Sequence, residues 1–158
     1  ESPKATRGSR RWTKRPIIAG GGRGAGNVGT VNLEKVVFGF FVLLAATLNF
    51  GFFIGDISDP EIHNVVELFL ALVVSLIATV LKFGDRTQLG AVLLATSLVA
   101  DLQLMAAAGV WVYATQATDA GLTPEMTATV VSLSGGALFA NIVSVLLLIV
   151  ETISFRRH

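Results

Sequence analysis

The sequence predicts an all-α polytopic integral membrane protein, a bundle of four transmembrane helices, and three observations carry that expectation. Hydrophobic residues make up 53% of the 158-residue chain and charged residues 15%, where a soluble domain carries about 25% charged residues. Four long apolar runs follow residue 31, and a helix needs about 20 residues to cross a hydrocarbon core. The runs are continuous and do not alternate, which favours helices over barrel strands, because a helix satisfies its own backbone in lipid. A soluble core of four buried helices would have too little polar surface to cover it.

The chain divides into a basic, Gly-rich tail over residues 1–30 and a helical domain over 31–158. The tail has no apolar period able to bury a face and is expected to be disordered. Hydrophobic order begins abruptly at Val31-Asn32-Leu33, and no Met precedes Met105. One reading makes Val31 the start, from a GTG codon, with residues 1–30 as translated leader sequence; a fragment, a processed chain, or a signal peptide over the N-terminal portion are the other readings. The first helix is predicted over 36–54 and carries no charge. An acidic turn, Gly55 to Pro60, follows, and Pro60 suits the start of the next helix, predicted over 64–83. Gly84, in Lys82-Phe83-Gly84-Asp85-Arg86, stops that helix. The third, over 88–115, is interrupted by Asp101 and Gln103 alone. Thr123 caps the fourth with Pro124 at its first position, the apolar run itself spanning 126–153.

Charge sets the expected orientation. Seven of the twelve Lys and Arg lie in residues 1–30 with one of the eleven acids, so a net charge of +1 hides +6 at one end and −5 over the rest. With both termini cytoplasmic, Lys35, Lys82, Arg86, Arg156 and Arg157 join the tail on the inside, and the two outer loops carry no basic residue. This is the positive-inside distribution, and it survives removal of the tail. Trp111 and Tyr113 then lie toward the outer interface, where aromatic residues concentrate. The expected location is the bacterial inner membrane, with anionic headgroups near the basic tail.

Few polar residues lie within the runs. Asp101 is close to the middle of the third, where a carboxylate costs about 2.5–3.5 kcal/mol to insert, so it is expected to face protein or water. Ser97 is one turn before it, and Asn141 on the fourth helix is at similar depth, which makes Asp101 and Asn141 the first expected pair. Two readings stand for that pair: a proton- or cation-binding carboxylate, or a protonated acid that locks two helices through a hydrogen bond. Asn64, Glu67, Ala71, Ser75, Ala78 and Lys82 form a small or polar stripe that predicts a face turned toward other helices. Glu67, Asn49 and His63 are expected to meet in an outer polar cluster, in which Glu67 and Asn49 are further ion- or proton-binding candidates; the other reading has Glu67 and His63 reaching interfacial water. Lys82 and Glu151, both near the cytoplasmic side, are expected to form an interfacial ion pair. Ser132, Gly136, Ala140 and Ser144 recur every four residues and allow another backbone to approach closely.

Several chemistries find no support. The absence of Cys removes disulfides and thiolate sites, and two His residues make a histidine metal cluster improbable. GGGRGAGNVG follows no strand and leads to no Gly-Lys-Ser/Thr, so no nucleotide or other cofactor is expected. No clustered acid, base or metal ligands suggest an enzyme. A basic segment beside a membrane more often meets lipid headgroups than nucleic acid, and no nucleic-acid partner is expected. The run Asn32-Leu33-Glu34-Lys35-Val36-Val37-Phe38-Gly39-Phe40-Phe41, with Leu48-Asn49-Phe50-Gly51-Phe52-Phe53 and Lys82-Phe83-Gly84-Asp85-Arg86, resembles a family of short bacterial inner-membrane proteins of unknown function. The resemblance implies four helices over residues 31–155 and a start near Val31, and it brings no assigned site residues. The functional expectation is cation or proton handling through Asp101, with Asn141 and Ser97, in a homo-oligomer. The alternative is an accessory or scaffolding subunit of a larger membrane partner.

Overall fold

The computed structural model describes residues 33–155, and all the regular structure among them is helical. In chain order the elements are α1 (Leu33–Phe53), α2 (Val65–Lys82), α3 (Gln88–Ala117) and α4 (Pro124–Phe155). Each is long and apolar enough to cross a bilayer, and together they make a multi-pass membrane bundle. The expected tail over residues 1–30, the start at Val31, and Arg156 and Arg157 lie outside the described residues.

Helix ends follow local chemistry. The Asn64 side chain accepts from the Val66 N–H at 2.9 Å, and the Thr87 hydroxyl accepts from the Gly90 N–H at 2.9 Å, so α2 and α3 begin with capped donors. Pro124 opens α4 after Thr123, whose hydroxyl accepts from the Met126 N–H at 3.3 Å. Pro60 does not open α2. Asp56 and Asp59 accept from the backbone N–H groups of Ser58 and Glu61 at 3.0 and 2.9 Å, and these side-chain turns occupy the backbone until Asn64 takes over. Gly55, at φ +127°, makes the left-handed exit from α1 that a side chain resists.

The four helices form a ring in which α1 packs on α2, α2 on α3, α3 on α4, and α4 on α1. Neighbours run antiparallel. Lys35 meets Glu151 near one end of the α1–α4 pair, and Asn49 meets Ser134 toward the other. Each helix turns inward a seam with alternating steps of three and four residues, the pattern of shallow left-handed packing. In α1 the seam is Phe38, Val42, Ala45, Asn49 and Phe52; in α2 it is Leu68, Ala71, Ser75, Ala78 and Lys82. In α3 it includes Leu93, Ser97, Ala100, Leu104 and Ala107. In α4 it includes Thr127, Val130, Ser134, Ala137, Asn141, Ser144 and Glu151, all buried.

Large apolar side chains occupy the ends of the seams, and small or polar ones fill the middle. One apolar cluster, around Phe52, Leu68, Leu104 and Val130, closes the end where α1 meets α2, and a second, around Phe38, Val42 and Leu93, closes the other. Leu, Val, Ile and Phe on the outward faces are exposed, as lipid contact requires. A shallow apolar groove of about 330 Å³ along Val73, Leu76, Ile77, Val80 and Leu81 belongs to that outer surface. Helix lengths are unequal, at 21 and 18 residues for α1 and α2 against 30 and 32 for α3 and α4. Trp111 packs edge-on against Phe52 in the last turn of α1, at 6.0 Å between ring centroids. The closing turns of α3 and the opening turns of α4 therefore extend past the end of α1.

Candidate functional site

Asp101 is 2% exposed and lies between α3 and α2. The Ser75 hydroxyl donates to one carboxylate oxygen at 2.6 Å, and the Thr79 hydroxyl donates to the other at 2.6 Å. Ser75 and Thr79 are one turn apart on α2, which aims both hydroxyls at the same point on the neighbouring helix. The expectation that the acid faces protein is met.

Its partners differ from the expected pair. Neither oxygen is bonded to Asn141 or Ser97. Asn141 is buried at the depth expected of it on the inner seam of α4, and its amide Nδ2 has no partner in the protein. Ser97 is buried one turn from Asp101. The difference has a geometric cause: Asp101 stands beside the α3 seam residue Ala100, on the flank that α2 covers, whereas α4 covers the other flank.

The outer polar cluster does not form as one unit. Asn49 is fully buried and accepts from the Ser134 hydroxyl across the α1–α4 contact, with its Nδ2 unpartnered. The half-buried Glu67 lies against Gly51, whose missing side chain makes the room: a Cβ there would fall 2.7 Å from the carboxylate. His63 is buried with Nδ1 2.6 Å from the Phe52 carbonyl oxygen and Nε2 3.0 Å from that of Asp56. Asn49 is thus held by Ser134 and His63 by two backbone carbonyls, while Glu67 lies beside Gly51, and no hydrogen bond joins the three.

The expected Lys82–Glu151 ion pair is replaced by two others. Lys35 pairs with Glu151 at 2.5 Å, and Lys82 pairs with Asp85 at 3.0 Å. Ring order explains the exchange, because α2 and α4 are diagonal and α1 is the neighbour that α4 meets at this end. Lys82 is also 4.5 Å from the centre of the Phe38 ring, an attraction between cation and ring face. Asp85, in the turn after α2, accepts from the Thr87 backbone N–H and hydroxyl and from Lys82, and these bonds hold its carboxyl down at about 2.

The four-residue repeat on α4 is used in part. A Cβ on Gly136 would fall 2.5 Å from Gln103 Nε2, so this glycine admits the Gln103 side chain of α3. Ser144 shares a 2.6 Å hydrogen bond with Thr96 of α3, and Ala140 is buried, whereas Ser132 is exposed. The repeat faces a helix of the same chain over three of its four positions.

A model described as a family of unknown function, DUF6394, matches residues 62–152, more than half of the chain. The chain belongs to the DUF6394 family. The region matched in this DUF6394 protein runs from the end of the first loop through nearly all of α4, and it contains Asp101, Ser75, Thr79 and Asn141. Lys35 and Asn49, on α1, lie outside it. Of the expected resemblance over residues 31–155, the match supports a family of unknown function over residues 62–152, which holds Lys82-Phe83-Gly84-Asp85-Arg86 but not the runs over 32–41 and 48–53. No curated protein and no solved structure matches this DUF6394 chain.

The hydroxyls of Ser75 and Thr79 went unassigned in the reading of the sequence, although Ser75 lay on the stripe predicted to face other helices. Counting equal numbers of residues on either side of the Gly84-Asp85 turn puts Asp101 opposite Leu68 or Phe69. The true partners are about two and three turns further along α2, because α3 is shifted along it. The usable signal was chemical: Ser75 and Thr79 are hydroxyls one turn apart, next in chain order to a helix with a mid-depth acid.

Proposed function

We propose that this chain is a small multi-pass protein of the bacterial inner membrane, with both termini cytoplasmic, that takes up and releases a proton or a small cation at Asp101. One observation carries the reading. Among the described residues, Asp101 is the buried acid bonded to two neutral hydroxyls, whereas buried Glu151 has the Lys35 ammonium. A carboxylate at mid-depth in a low-dielectric interior without an adjacent cation is stabilised by taking a proton or a cation, and an intramembrane acid is for that reason a functional candidate. The positive-inside distribution of basic residues supports the orientation.

Purified protein in proteoliposomes tests it. Ion or proton flux should be measurable for the native chain and lost in Asp101→Asn, with helical content and oligomer unchanged. Absence of flux in the native chain, or normal flux in the variant, overturns the mechanism. A second reading, an accessory or scaffolding subunit, is favoured by the same two hydrogen bonds acting as a lock between α2 and α3. It predicts no flux and a membrane protein that co-purifies stably.

A further inference from the structure

The interior between the two apolar clusters contains polar atoms that the protein does not satisfy, two amide donors and one acceptor, the Gln103 Oε1 beside Gly136. Asn141 is 2% exposed and Asn49 0%, and the Nδ2 atom of each lacks a hydrogen-bond partner in the protein. Both residues occupy the inner seams of their helices. The α3–α4 contacts Thr96 with Ser144 and Gln103 with Gly136 fix the antiparallel register of that pair and set Asn141 within about a turn of Asp101. The α1–α4 contacts Gly39 with Leu148 and Asn49 with Ser134 set Asn141 level with Leu44 in depth, about one and a half turns from Asn49. Two unpartnered amides and the acid thus share the middle of one bundle.

A buried N–H without an acceptor is costly, and native proteins satisfy such groups with ordered water where polar neighbours provide the site. The chemistry also selects among ligands. A metal cation needs a shell of several oxygen ligands, whereas a proton needs one acceptor oxygen, and among the described residues no group of three or more His, Cys, Asp or Glu side chains is placed to hold a metal ion. From this we infer that the middle of the bundle holds an internal water site, bounded by Asn141, Asn49 and Asp101, through which protons and not metal cations reach Asp101. The inference rests on the reading of Asp101 as an ion-handling residue and narrows it to one species.

In the step itself, a hydronium in the site gives a proton to one Asp101 oxygen. One O–H bond forms at the carboxyl as one breaks in the hydronium, which leaves a neutral acid and a neutral water. The hydroxyl on that oxygen, from Ser75 or Thr79, then turns from donor to acceptor. The other buried Lys and Glu side chains among the described residues are engaged elsewhere, Lys82 of α2 with Asp85 and Glu151 of α4 with Lys35 of α1, while Glu67 of α2 is half-buried beside Gly51.

Infrared difference spectroscopy on the full chain in liposomes tests the site. The stretch of the protonated Asp101 carboxyl is assigned by its loss in Asp101→Asn, and its exchange on transfer from H2O to D2O is timed. Asn141→Leu, with helical content and melting temperature as in the native chain, should slow that exchange about tenfold, the factor that one ordinary hydrogen bond supplies. Exchange at the native rate overturns the relay. A second arm needs no variant: sodium or potassium added to the native protein should leave the protonation midpoint of the Asp101 band unmoved. A midpoint that moves to lower pH with either ion overturns the choice of proton over metal cation, while the reading of Asp101 as an ion site stands. Rapid, Asn141-dependent exchange together with normal flux in Asp101→Asn is the opposite result, sinking that reading and leaving the water site in place.

Discussion

Each hydroxyl that meets Asp101 serves its own oxygen, so the two bonds are separable by mutation. Ser75→Ala and Thr79→Val should each destabilise the protein by about 1–3 kcal/mol, the cost of leaving one buried polar group short of a partner. In an Asp101→Leu background the same substitutions should cost close to nothing, and equilibrium unfolding in mixed micelles measures the difference. Asp85 gives a pH dependence whose sign follows from its bonds. Its carboxyl is held at about 2, below the ordinary 3.8, by the Thr87 backbone N–H, the Thr87 hydroxyl and Lys82. The stabilisation is therefore complete above the ordinary carboxylate range and is lost as pH falls through that range toward about 2. Thermal melts across that window should show the loss in the native chain and a flatter acid limb in Asp85→Asn. At this scale the sequence disclosed the acid but not its partners. Insertion cost singles out Asp101 from one residue, whereas Ser75 and Thr79 emerge only when two helices are placed side by side.

The element that sets those partners is the order of helices around the ring. Hydropathy located all four spans and their short connections, since those depend on runs of neighbouring residues. The ion pairs depend on which helices touch, and the expected Lys82–Glu151 pair crosses a diagonal that the ring keeps apart. The α3–α4 contact offers the sharpest element-scale test. Gly136→Ala would press on the flexible end of Gln103, which can swing aside, so a loss of about 1 kcal/mol is expected. Gly136→Ile should cost more than about 2 kcal/mol and separate α3 from α4, because the branched side chain has nowhere to go. Unfolding midpoints, with cross-linking between introduced Cys pairs on the two helices, distinguish the two outcomes. The four-residue spacing made this contact legible, and Ser132 shows its limit, for periodicity marks a face without saying how far the neighbour follows it.

For the whole molecule, the distribution of Lys and Arg predicts a topology that the Cys-free chain makes simple to probe. Ser58→Cys, in the loop between α1 and α2, should react with an impermeant thiol reagent added outside intact cells, and Gly84→Cys should react only after permeabilisation. The reverse pattern would invert the protein in its membrane and the direction of any flux. Composition was enough to identify the bundle because lipid imposes its demand on every outward position at once. The polar interior was half legible, each residue visible but not the seam that joins them. One further consequence follows from the unequal helices. A hydrocarbon layer matched to α1 and α2 is too thin for α3 and α4, which stand about 9 Å taller at the Trp111 end if six residues of α3 clear the end of α1. The surplus turns carry Thr115 and Gln116 of α3 and Glu125 of α4, so they either stand in water beyond that layer or draw thicker lipid along one side at fractions of a kcal/mol per Å. The bundle thus has a tall flank and a short one at that end, an asymmetry that neither composition nor charge discloses.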